Sequence, residues 1–129
     1  MFASSKAFSG FAVADIEQAR SFYAETLGLQ VAVIDEVNHL MRIDLAGDTT
    51  VLVYGKPGHT PATYTILNFP VDDVDAAVDA LTGHGVEMLR YDGFNQDDKG
   101  IGRGNGPDIA WFTDPSGNIL SVLSSQDIQ

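Results

Sequence analysis

The chain has 129 residues, 44% of them hydrophobic, enough for one compact domain with a buried core and no covalent staples. It contains no cysteine, which excludes disulfides, thiolate nucleophiles and cysteine metal sites and favours a cytoplasmic location. Asp and Glu number 18 against 7 Lys and Arg, and the resulting net charge of −11 argues against nucleic-acid or anionic-membrane partners. No apolar run approaches the roughly 20 residues of a membrane span, and Met1 to Phe8 lacks the basic and apolar regions of an export leader.

Lys6 to Ala14 has the apolar content of a strand. Asp15 then suits the cap of a helix whose apolar positions Ile16, Ala19, Phe22, Tyr23 and Leu27 recur at helical spacing, and Gly28 stops it. Leu29 to Asp35, His39 to Leu45 and Thr50 to Tyr54 read as three strands, the last two joined by the turn Ala46-Gly-Asp-Thr49. Two prolines and a glycine in Lys56-Pro-Gly-His-Thr-Pro61 mark a hinge.

The phrase Phe11-Ala-Val-Ala-Asp-Ile-Glu-Gln-Ala19 then returns as Phe69-Pro-Val-Asp-Asp-Val-Asp-Ala-Ala77, each copy closing a strand and opening a helix. A duplicated module follows. In the second copy Thr63 to Val71 is the strand, Asp72 or Asp73 the cap, and Val74, Ala77, Val78 and Leu81 the apolar face of a helix ending at Gly83-His-Gly85. Val86 to Tyr91 is the next expected strand, and Ile109 to Thr113 and Ile119 to Leu123 flank the tight turn Asp114-Pro-Ser-Gly-Asn118. Between them, Gly93 to Asp108 contains Gly100-Ile-Gly-Arg-Gly-Asn-Gly106, whose alternating glycines match no phosphate loop. It reads as a mobile flap, a dimer contact or a flexible linker. The expected fold class is α+β: two tandem βαβββ modules, about 6–56 and 62–125 with a hinge at 57–61, forming a curved mixed sheet around a cleft within a single domain.

The ordered set Val13-Ala-Asp15, Ser21-Phe-Tyr23, Leu27-Gly28-Leu29, Val71-Asp-Asp73 and Asp114-Pro-Ser-Gly-Asn118 resembles the vicinal oxygen chelate superfamily of glyoxalases, bleomycin resistance proteins and extradiol dioxygenases. The resemblance runs from about Phe8 to Leu123 and implies a homodimer. It also implies four metal-ligand positions, a histidine in each module's first strand and a carboxylate in each last strand. Here these fall on Phe8, Ile66, Ser121 and either Val51 or Val53. Hydrocarbon groups carry no lone pair and a serine hydroxyl is a poor ligand, so no metal and no other cofactor is expected. His39, His59 and His84 are scattered and form no ligand pair.

The ligand positions that the resemblance implies would face the cleft, and strand alternation from them, and opposite the helix-facing Met41, Ile43 and Leu45, places Phe8, Gly10 and Ala12, then Leu40, Arg42 and Asp44, then Ile66, Asn68 and Pro70, and finally Ile119, Ser121 and Leu123 there. The candidate ligand-binding residues are Phe8, Arg42, Tyr54, Asn68, Trp111 and Ser121. Asn68 is either a buried amide satisfied by backbone or a ligand contact. Trp111, sharing a face with Ile109 and Thr113, is either a stacking wall or core. Arg42 either binds an anionic group or pairs with Asp44, and Tyr54 ends its strand near the hinge. No catalytic constellation is visible. The expected function is metal-independent binding of a small hydrophobic or aromatic molecule, as in the bleomycin-resistance branch. The alternative is a glyoxalase- or dioxygenase-like lyase, isomerase or oxidoreductase using a displaced metal or non-standard residues.

Overall fold

In the computed structural model, which describes residues 1–104 and 106–125, the two repeated phrases act as their composition dictates. Extended backbone at Asp15 lets its carboxylate accept the amides of Glu17 and Gln18, and Asp73 accepts that of Ala76. Each cap converts a strand, β1 (Ser9–Val13) or β5 (Thr65–Val71), into a helix, α1 (Ile16–Ser21) or α2 (Val74–Gly83). The strands β2 (Gln30–Asp35), β3 (Leu40–Leu45), β4 (Thr49–Gly55), β6 (Ile109–Thr113) and β7 (Ile119–Ser124) complete the elements. The chain divides into two compact units, Met1–Thr60 and Pro61–Gln129.

In the first unit the strand order is β1-β4-β3-β2, with β1 and β4 parallel and the other pairs antiparallel. Alternation sends Val13, Met41, Ile43, Val51 and Val53 to one buried face, together with Ala19 and Tyr23 from the helical segment. The Tyr23 ring meets Phe11 at 5.8 Å and Phe22 at 5.2 Å. One departure from the expected helix is that α1 widens after Ser21 into a π-helical turn, Phe22–Thr26. The Leu27 amide accordingly bonds the Phe22 carbonyl, and Gly28, at φ 72°, lets Leu29 turn back onto the Tyr23 carbonyl.

The second unit has three strands, β5-β7-β6, instead of the four expected. Val86 to Tyr91 does not form a strand: Met88 bridges Phe112 and the Leu89 amide bonds the Trp111 carbonyl, and there the ladder ends. The Gln96 side chain explains why. It donates to the Leu89 carbonyl at 3.0 Å and accepts from the Tyr91 amide at 2.7 Å, taking the backbone groups a ladder would need. Gly102 pairs with Ile109 at the other end of the same strand. The tight turn does form: Asp114, buried, accepts the amides of Ser116 and Asn118 and the Asn118 side-chain amide. Among the described residues no helix is long and apolar enough to cross a membrane.

Candidate functional site

On the second sheet the fully or nearly buried Ala110, Phe112, Leu120 and Val122 alternate onto one face, where α2 supplies Val74, Val78 and Leu81. The opposite face holds a cross-strand row, because Asn68 is in register with Ser121 and Ser121 with Trp111. The Ser121 hydroxyl donates to Asn68 Oδ1 at 2.6 Å. Ser121 is fully covered, whereas Asn68 is exposed. Asn68 is therefore not the buried amide that its apolar neighbours suggest, and among the described residues its Nδ2 hydrogens meet no protein acceptor.

Beside this row the aromatic side chains converge. Trp111 makes T-shaped contacts with Tyr91 at 5.2 Å and with Phe94 at 5.2 Å, and Tyr91 and Phe94 lie 5.9 Å apart. Tyr64, 70% exposed, and Ile119 join them around a shallow cavity of about 170 Å³. Tyr91 and Phe94 are missing from the sequence-based candidates because a strand at 86–91 and a mobile flap after it would have carried them elsewhere. The signal available was Tyr91-Asp-Gly-Phe94 itself, two aromatics around a glycine at the entrance to a loop.

The loop is tied down instead of forming a free flap or linker. Asp97 accepts the amides of Lys99 and Ile101 and the Arg103 guanidinium; Arg90 donates to the Asp97 and Asp98 carbonyls; and Ile101 is fully buried. Burial alone would push the Asp97 carboxyl up, but the two amides and Arg103 outweigh it and hold it below the usual carboxylate range. Asn105 lies outside the described residues.

Phe8, Arg42 and Tyr54 belong to the first unit. Phe8 sits just ahead of β1 and is 63% exposed. Arg42 pairs with Asp44 at 2.7 Å on the sheet face opposite Met41 and Ile43. Tyr54, on the same face, stands across from Ala12 and Leu40. A larger cavity of about 510 Å³ in this unit is lined by Asp15, Glu17, Arg20, Asp35, His39 and Lys56, among others. Several of its charged groups already hold local structure: Asp15 caps α1, Glu17 pairs with Arg20 at 2.9 Å, and Asp35 binds Asn38. The Asn38 contacts keep Asp35 below its ordinary carboxyl range.

The pairing registers bear on identity. Because Asp15 and Asp73 are equivalent caps, Gly10 corresponds to Asn68, and the pairs Gly10–Leu52 and Asn68–Ser121 occupy equivalent places in the two sheets. A duplicated strand, capped helix and parallel closing strand thus run through both units. The family model described as Glyoxalase/Bleomycin resistance protein/Dioxygenase superfamily matches residues 7–122. The chain belongs to this superfamily.

An antibiotic-binding protein from Streptomyces sp. CB03234 is similar at a TM-score of 0.69 and 26% identity, over 92% of this chain and 95% of its own. A glyoxalase/bleomycin resistance protein from the same organism reaches 0.64 at 26% identity, over 92% and 100%. A lactoylglutathione lyase from Agrobacterium tumefaciens shares the fold at 0.65 and 18% identity, over 95% of each chain. No curated protein matches the chain.

The superfamily's metal positions can now be corrected in one place. Val51 and Val53 lie on the buried helix-side face, so the counterpart of Ser121 in the first unit is Leu52. In the first unit Phe8 and Leu52 offer only carbon, and in the second Ile66 offers only carbon and the Ser121 hydroxyl is engaged by Asn68, so neither pair fits a metal ion. Among the described residues no group of three or more His, Asp or Glu is placed to hold one elsewhere.

Proposed function

We propose that the protein is a cytoplasmic, homodimeric, metal-independent binder of a small, flat, largely apolar molecule, seated on Trp111 with a hydrogen-bond acceptor directed at the Asn68 amide. The observation that carries this reading is the row Asn68–Ser121–Trp111 beside Tyr91 and Phe94. Trp111 lines an open cavity with Tyr64, Tyr91 and Phe94 and so offers ring surface to a flat ligand, and the exposed Asn68 amide, two strands away on the same face, rewards an acceptor on a ligand long enough to reach it. The similarity to an antibiotic-binding protein supports binding over catalysis, as does the lack of metal-ligating groups at Phe8 and Leu52 in the first unit and at Ile66 in the second.

Trp111 is the chain's one tryptophan, so its fluorescence reports on the site directly. Acridone, planar with one carbonyl, is expected to quench it saturably and to bind more tightly than anthracene, with Asn68→Ala cancelling the difference, about tenfold for one hydrogen bond. Equal affinities in wild type and N68A would remove Asn68 from the site, and absence of quenching by either compound would remove the aromatic surface. Elemental analysis and thermal melts with added Zn²⁺, Mn²⁺ and Ni²⁺ test metal independence: stoichiometric metal that raises the melting point overturns it. Sedimentation equilibrium tests the homodimer.

A further inference from the structure

Strand β6 fixes Trp111, but Tyr91 and Phe94 sit on irregular backbone next to a glycine-rich loop, and backbone of that kind does not hold two rings at 5.2 Å from an indole by itself. Arg103 is where the ties of that loop meet. Its Nε donates to Asp97 Oδ2 at 3.1 Å, Nη1 to Asp108 Oδ2 at 2.7 Å, and Nη2 to both Asp75 oxygens at 3.0 Å. These carboxylates come from three places: the turn after Phe94, the residue leading into β6, and the first turn of α2. The Arg103 backbone, in turn, is clasped to the neighbour of Phe94: its amide bonds the Asn95 carbonyl at 3.0 Å, and the Asn95 side chain donates to its carbonyl at 3.3 Å.

We propose that Arg103 is a positioning residue: by bridging Asp75, Asp97 and Asp108 it holds Asn95, and through it Phe94, against Trp111, and so sets the affinity of the aromatic surface. The inference rests on the ligand reading given above. A planar fork with five donors can serve three carboxylates at once, whereas an ammonium is a point charge that cannot keep this geometry. Lys99, bound to Asp79 at 3.0 Å, neutralises the same helix face but reaches neither Asn95 nor Asp108, and Arg90 restrains the opposite arm of the loop through the Asp97 and Asp98 carbonyls. Arg103 is thus the cation clasped directly to the segment that presents Phe94.

The test compares wild type, Arg103→Lys and Asp108→Asn, the last removing one partner while leaving the guanidinium in place. Three readouts are needed: amide exchange at Gln96, whose N–H bonds the Phe94 carbonyl, and at Arg103, the near-ultraviolet circular dichroism of Trp111, and acridone affinity. Expected in R103K are about tenfold faster exchange at those amides, a weakened Trp111 signal and about tenfold weaker acridone binding, with exchange at Leu67 and Leu120 unchanged; D108N lies between. Unchanged exchange and dichroism in both variants would overturn the proposal, and so would loosened exchange with full acridone affinity. If wild type itself fails to bind acridone, the ligand reading falls, while exchange and dichroism still decide whether Arg103 holds Phe94 against Trp111.

Discussion

Ser121 illustrates how little polar chemistry the open face of the second sheet contains and how tightly it is used. Its side chain is fully covered, and its hydroxyl donates to Asn68 at 2.6 Å. Ser121→Ala removes the donor but leaves the acceptor on an exposed residue that water can reach, so the cost is that of one ordinary hydrogen bond, about 1 kcal/mol by urea denaturation. Gly117 is less forgiving. It holds φ 86° in the Asp114–Asn118 turn, and a Cβ there would stand 3.1 Å from Cγ of Pro61. Gly117→Ala combines left-handed backbone with a close contact, and a loss of about 1 to 2 kcal/mol is expected in the same measurement. A smaller loss than that of S121A would show that the turn relaxes around the added methyl.

Among the elements, the two capped helices offer an internal comparison. Asp15 accepts two amides and Asp73 one, on otherwise equivalent strand-to-helix corners. Each change to Ala is expected to cost about 1 kcal/mol, with Asp15→Ala the more costly; the reverse order in thermal or chemical melts would show that α2 depends on its cap more than the bond count implies. These corners were legible in the sequence because cap, helical spacing and the closing glycine all agree within a dozen residues. Alternation within β5, β6 and β7 was also legible, pairing Asn68 with Pro70, Ser121 with Ile119 and Leu123, and Trp111 with Ile109 and Thr113, whereas the registers that put Asn68, Ser121 and Trp111 on one side came from the structure. Register was not legible: assigning Val51 or Val53 to the open face came from overlaying hairpins, and the observed pairing of Gly10 with Leu52 shifts the equivalence by one residue and so to the other face. Tyr91 and Phe94 were missed for a related reason. A side-chain amide, Gln96, replaces the ladder beyond Leu89, and no periodicity announces such a substitution.

Across the whole molecule the net charge of −11 sets two opposing responses to solution conditions. Repulsion among dispersed carboxylates acts over many ångströms and is screened once the Debye length falls to about 3 Å near 1 M salt, whereas the Arg103 and Lys99 contacts at about 3 Å persist as hydrogen bonds. Added NaCl at pH 7 should therefore raise the melting midpoint by a few degrees, and a fall would mean that the ion cluster outweighs the surface repulsion. Acid works through particular groups. Asp97 and Asp35 both titrate below their ordinary value in the folded chain, so each binds its proton more readily when unfolded. Their contribution is fully present above the unfolded carboxyl range, near 4, and is lost as pH falls through the lower folded values. Stability should thus hold from pH 7 to about 5 and decline below about 4. Asp97→Asn keeps the side chain but surrenders its charge to Arg103, so its melting curve should lie below wild type at pH 7 and approach it at pH 3. Parallel curves for the two proteins across that window would show that the loop does not depend on ionised Asp97.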